Sequence, residues 1–231
     1  MNNPSQNTFA TLQRNKTSKT INTSLSEQIY QKLKWALITG QYLPGDSLSI
    51  RSLAAEFKTS MMPVREALKR LVSERALSSS STRSFKVAEL SPTQVSQLFF
   101  LRSILESAAA KIATHALTNQ QIDQLYENAL AIEEHAIHQD FNSYLADNYS
   151  FHFTIYNATG NFEMTKIIEN IWAQISPSFY VGLRDYSDKK DWLTDHEQIV
   201  QSLRTRNETR TQELIEKDIN WGTALYRNLN V

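Results

Sequence analysis

The segment Thr59–Leu71, TSMMPVREALKRL, sets the cations Arg65, Lys69 and Arg70 among apolar residues at Val64, Ala67, Leu68 and Leu71. The apolar positions have the spacing of one helix face, so the cations fall on the others. Thr59 and Ser60 offer a cap, and Pro63 stands in the first turn, where a missing N–H costs little. The start of such a helix presents free N–H groups and a positive dipole end to an anion. Ser60 and Arg65 can then reach a phosphate backbone or base edges, and Ala67, Leu68 and Leu71 hold the helix to its domain. For Arg65 the alternative is a surface ion pair with Glu66. The chain shows no nucleophile motif, no phosphate loop and no general acid and base at a defined spacing.

Charge supports an anionic partner for this part of the chain. The 231 residues carry 24 Lys+Arg and 24 Asp+Glu. Residues 1–90 hold 13 of the basic and 6 of the acidic residues, a net of +7, and residues 91–231 hold 11 and 18, a net of −7. A basic half beside an acidic half points to nucleic acid as the partner of the first. Cysteine is absent, which excludes disulfides and thiolate-bound zinc. No apolar run approaches the roughly 18 residues of a membrane span, and no signal-peptide core begins the chain, so a cytoplasmic protein is expected.

Stepping along the chain, 1–22 is rich in Asn, Ser and Thr and reads as a disordered polar tail. Residues 23–90 hold three short helices. The first runs from Ser26 to Thr39, with Ile29, Leu33, Ala36 and Leu37 inward and Gly40 ending it. After the Pro44-Gly45 turn comes SIRSLAAEF, with Ile50, Leu53, Ala54 and Phe57 inward. The helix opened above is third. Two short strands then meet at a tip of Thr82, Arg83 and Ser84. Three helices and a β-hairpin make a winged helix-turn-helix, whose third helix fits a major groove about 12 Å wide.

The ordered set ALITGQYLPGDSLSIRSLAAEF and PVREALKRL resembles the GntR family of bacterial transcription regulators. That resemblance implies DNA contacts from Arg51, Ser60 and Arg65, and from the wing at Arg83. The sequence departs from the family at three places. Met61 stands where an arginine or other polar residue is usual and cannot make bidentate contacts to guanine. Arg75 replaces a glycine after the recognition helix, and Ser84 replaces a wing-tip glycine. Met62 reads as packing, or as a contact to a thymine methyl.

Residues 91–231 are helical in pattern. Ser91 caps and Pro92 opens the first helix, and others follow near 119–138, 140–158, 161–185, 189–206 and 208–228. Asn119, Asp140, Asn161 and Asn207 are expected as caps or turns. The expected fold is therefore mainly α: a winged helix-turn-helix followed by an all-α antiparallel bundle. LRSILESAAAKIA, NYSFHFTIYNATGN and DHEQIVQSL make this half resemble the FCD effector domain of the FadR subfamily. Many such domains hold a divalent metal through an acidic residue and three histidines, and the metal helps hold a small carboxylate. Carried over, the resemblance implies a metal set of Asn148, His152, His196 and Asp218, with Asn148 and Asp218 replacing the usual Asp and last His. Two imidazoles and two oxygens suit zinc, nickel or manganese. The alternative is two core histidines hydrogen-bonded to Asn148 and Asp218.

Arg102 has two readings, an ion pair with Glu106 one turn on or a clamp for an effector carboxylate. Tyr149, Tyr180 and Arg184 are further candidates to line the pocket. His115, His135 and His138 read as surface residues. The whole is expected to be a homodimeric regulator on a palindromic operator of double-stranded DNA, modulated by a small carboxylate, and not an enzyme. The competing readings are a metal-dependent hydrolase in the helical half, or a DNA-binding protein whose helical half only dimerises.

Overall fold

The computed structural model describes residues 24–81, 84–185 and 195–227. The tail at 1–22 and Arg83 at the wing tip lie outside them. Helix α1 (Leu25–Ile38) is capped by the Ser24 hydroxyl, which accepts from the Glu27 amide. It ends where Gly40 turns left-handed at φ 68°, with the Gly40 and Gln41 amides donating back to Leu37 and Ala36. A side chain is excluded there for a second reason. A Cβ on Gly40 would stand 2.4 Å from the Tyr180 ring.

Helix α2 (Ile50–Glu56) and helix α3 (Met61–Ser73) follow, with Ile50, Leu53, Ala54, Val64, Ala67, Leu68 and Leu71 buried, as their spacing predicts. The wing is β2 (Leu77–Ser81) and β3 (Ser84–Val87), paired antiparallel with Leu77 opposite Val87. A third strand escapes the sequence pattern. β1 (Ser47–Leu48) adds to β3 on its other edge, giving the order β1-β3-β2. Two residues are too few to show alternation.

The bundle comprises α4 (Pro92–Ala116), α5 (Asn119–Ile137), α6 (Phe141–Asn157), α7 (Phe162–Asp185), α8 (Asp195–Arg204) and α9 (Glu208–Arg227). Local chemistry sets their starts. Ser91 and Gln94 form a capping box on α4, with Pro92 in the first turn. Asp140, Asn161 and Asn207 accept amides from Ser143, Met164 and Arg210. On α5 the cap is Thr118, in a second capping box with Gln121, and Asn119 is the first helical residue. The helix expected from 189 is described only from Asp195.

Two hydrophobic clusters form. One lies within the bundle and the other under the winged helix. Ala173 of α7 belongs to the second, so the bundle also helps close the core of the winged helix.

Candidate functional site: a recognition helix and a histidine cluster

On α3 the residues singled out for DNA fall at the free end and outer face. Ser60 holds the N-cap position, yet its side chain makes no capping bond. Arg65 makes no ion pair with any described residue, and its Nε is covered without a hydrogen-bond partner. The ion pair with Glu66 is therefore not formed. Arg51 is exposed on α2. Met61 and Met62 are 53% and 64% exposed. Packing is thus excluded as the reason for Met62, which faces outward at the helix start. Arg75 takes φ 61°, the left-handed turn that a glycine adopts without strain.

Inside the bundle the four residues singled out for metal converge from three helices. Asn148 and His152 lie one turn apart on α6, His196 starts α8, and Asp218 comes from α9. One ring nitrogen of each histidine and one oxygen of Asp218 lie within 4.8 Å of one another. His196 Nε2 is 2.9 Å from Asn148 Oδ1, and His152 Nε2 is 3.4 Å from Asp218 Oδ2. Both histidines are buried.

A second layer orients His152. Glu106 is fully buried on α4 and accepts from Arg102 Nε at 2.6 Å, Arg102 Nη2 at 3.3 Å, Tyr156 Oη at 2.8 Å and Trp172 Nε1 at 2.9 Å. The single Tyr156 proton goes to that carboxylate. Tyr156 Oη can therefore only accept from His152 Nδ1, 3.1 Å away. This fixes the Nδ1–H tautomer and turns an Nε2 lone pair toward Asp218. Burial alone would raise the Asp218 carboxyl, but the neighbouring His152 and His196 imidazoles and the Arg102 guanidinium bring it down to about 2. It is a carboxylate at neutral pH. A lone pair and a carboxylate facing at 3.4 Å repel unless a cation lies between them, either a second proton on the ring or a metal ion.

The donor set fits a metal. Ligands at about 2.1 Å from one ion stand about 3.0–3.4 Å apart; the two contacts above, at 2.9 and 3.4 Å, are near that spacing, while the donor atoms of His152, His196 and Asp218 spread over up to 4.8 Å and would be drawn together by an ion. Burial, reinforced by His152, pushes the His196 imidazole down to about 4 against a smaller pull from Asp218, so it is neutral and able to coordinate. A salt bridge of 2.7 Å from Lys217 to the buried Asp195 holds the start of α8 against α9, one residue from His196 and one from Asp218.

A cavity of about 20 Å³ adjoins the cluster, lined in part by Arg102, Tyr144, Asn148, Trp172, Asp218 and Trp221. Arg102 fulfils both of its readings in part: it is paired with Glu106, and it faces the cavity. Tyr149 and Arg184 do not come to that cavity. Tyr149 follows Asn148 by one residue, so the helix turns it about 100° away, onto Trp35 of α1 and Glu169. Arg184 is half exposed beside Asp185. Tyr180 packs under Gly40. His115 and His138 are exposed, and the partly exposed His135 lies 3.2 Å from Asp147.

Sequence reasoning missed Glu106, Tyr156 and Trp172 as the second layer. Tyr156 had a signal, since 148, 152 and 156 continue one face at steps of four. Trp172 had none.

The pattern for bacterial regulatory proteins of the gntR family matches residues 25–87, and that for the FCD domain matches 97–220. The HTH-type transcriptional regulator McbR of Escherichia coli (strain K12) is 31% identical over 164 residues, covering 71% of this chain and 74% of that protein. This chain belongs to the GntR family. It is a DNA-binding transcription regulator with an FCD domain. The Nta operon transcriptional regulator of Aminobacter aminovorans is 27% identical over 171 residues, covering 74% of this regulator and 80% of its own length. The solved structure of E. coli McbR/YncC superposes with a TM-score of 0.81 at 26% identity, covering 90% of this regulator and 99% of that chain. Its winged helix and helical domain are those described above. Among the described residues no helix is long and apolar enough to cross a membrane.

Proposed function

We propose that the regulator is a cytoplasmic homodimer that reads a palindromic operator and changes its affinity when a small carboxylate enters the bundle. The reading divides the chain at 22/23 and 90/91 into tail, DNA-binding part and effector-binding, dimerising part. Arg51, Ser60, Met61, Arg65 and Arg83 are its DNA contacts. The observation that carries it is Arg65, whose guanidinium pairs with no acid among the described residues, on a helix whose other face is buried. A cation with no acceptor among the described residues, beside a helix N-terminus, suits phosphate or a guanine edge. Two copies read two half-sites, as twofold symmetry requires.

In this reading Asn148, His152, His196 and Asp218 hold a divalent metal such as zinc, nickel or manganese. The metal supplies a positive centre for the effector's carboxylate, and Arg102 supplies a second through the N–H groups that Glu106 leaves free. The neighbouring cavity of about 20 Å³ admits about one water-sized group. An organic acid therefore enters only as the bundle opens, which gives it different affinities for two states of the protein, the requirement for allostery. The relatives carry names of regulators, not of enzymes, which weighs against a hydrolase.

The test is selection of bound sequences from random duplex DNA near physiological salt, with Arg65→Ala in parallel. The expected result is a palindromic consensus for the wild type and none for the variant, with the dimer intact in both. A consensus retained by Arg65→Ala removes α3 from its assigned role.

A further inference from the structure

Lys34 is a charged residue only 2% exposed, in the α1 helix of the winged domain. Burying an ammonium costs far more than it returns unless its hydrogen bonds are met. Here all three N–H groups are used. They donate to Tyr30 Oη at 3.0 Å, Glu169 Oε2 at 2.7 Å and Asn170 Oδ1 at 2.6 Å. Two of these acceptors belong to α7 of the bundle, so the charge is both buried and fully paired only while the two halves are docked.

The chain of bonds continues both ways. Into the bundle, the other Glu169 oxygen accepts from Tyr149 Oη at 2.7 Å. Tyr149 stacks on Phe153 at 4.0 Å and meets Trp172 edge-on at 6.0 Å, the tryptophan that donates to Glu106. It also stands next to Asn148, the partner of His196. Toward the DNA, Tyr30 gives its one proton to Glu74, at 2.9 and 2.7 Å from the two oxygens. Glu74 is the C-cap of α3, and Arg70 of α3 lies 3.6 Å over the Tyr30 ring and pairs with both Glu74 and Glu27. Burial and the adjacent carboxylates hold both tyrosine hydroxyls well above their ordinary pKa, so each remains a donor.

We infer that Tyr149, Glu169, Lys34, Tyr30 and Glu74 form a relay that positions the recognition helix according to the state of the histidine cluster. This rests on the proposed function, and names the residues through which it acts. A shift of α6 at Asn148 or His152 moves Tyr149 with it. Glu169 binds Tyr149 through Oε1 and Lys34 through Oε2, so a carboxylate that follows Tyr149 leaves Lys34 to Tyr30, Asn170 and Glu74, whose Oε2 is 3.9 Å away. The cluster thus passes a discrete choice of partners to the end of α3. Spatial continuity alone does not make a coupling, so the relay is judged by transmission.

The test is hydrogen exchange on the full chain with and without zinc, in wild type and Tyr149→Phe. That change keeps the stacked ring and removes only the hydroxyl. Slower exchange in α6 and α8 reports zinc at the histidines. The relay expects zinc also to slow α1 and the last turn of α3 by about threefold or more in the wild type, and by less than about 1.5-fold in Tyr149→Phe. Protection confined to α6 and α8 in the wild type overturns the relay, as does equal protection of α1 and α3 in both proteins. If zinc protects neither α6 nor α8, the metal reading fails instead, and zinc-free protein decides. There Tyr149→Phe must itself speed exchange in α1 and the last turn of α3, and unchanged exchange overturns the relay.

Discussion

Tyr156→Phe isolates what the second layer contributes to a metal at His152. The change removes one hydroxyl and leaves the ring in the core. Glu106 still accepts from Arg102 twice and from Trp172, so its charge stays satisfied. The loss falls on His152, whose Nδ1–H no longer has an acceptor. A buried donor without a partner costs about 1–3 kcal/mol. In metal-free protein the ring escapes by moving its proton to Nε2, toward Asp218 at 3.4 Å. With metal on Nε2 that escape is closed. The cost is therefore borne mainly by the metal-bound state, and affinity should fall about 10–100-fold, equivalent to about 1.4–2.7 kcal/mol. The assay is competition for zinc against a chelator of known affinity at pH 7, with urea unfolding of the metal-free protein beside it. The expected pattern is a tenfold or larger loss of zinc affinity with a smaller loss of metal-free stability. Equal zinc affinity in wild type and variant, with His152→Ala abolishing binding, would refute the tautomer argument. No zinc binding by the wild type would remove the metal from the proposed function.

Two further outcomes follow from local chemistry. Arg75→Gly should stabilise the protein by about 0.5–1 kcal/mol, because the left-handed penalty relieved at φ 61° exceeds the extra chain entropy of glycine; an unchanged or lower urea midpoint contradicts this. In metal chelator, stability should fall as pH drops from about 6.5 to about 4. Over that range the unfolded state takes a proton on residue 196 that the folded state, with the His196 imidazole at about 4, does not. The loss approaches roughly 3 kcal/mol, and His196→Asn should flatten the slope; a slope unchanged in that variant assigns it elsewhere.

Much of the fold was legible from local rules. Val64, Ala67, Leu68 and Leu71 share a face whatever surrounds them, and all four are buried. Caps depend on one side chain and an amide three residues on, so Ser91, Asp140, Asn161 and Asn207 could be read directly. Where two adjacent residues can each cap, the reading slipped by one, from Thr118 to Asn119. β1 was illegible because its two residues take their conformation from β3, 39 residues away at the Ser47–Lys86 pair.

By itself the sequence determined the helices, the basic reading head and, through family resemblance, the four residues proposed for metal. Only the tertiary structure decided what those residues face. His152, His196 and Asp218 are separated by 44 and 22 positions, and no periodicity spans such gaps. Tyr149 shows the limit most plainly. Its neighbour Asn148 points to His196, while Tyr149 points to Glu169 and the winged helix. A helix turns about 100° per residue, so adjacent positions face different neighbours, and only the packing of α1 and α7 around α6 says which.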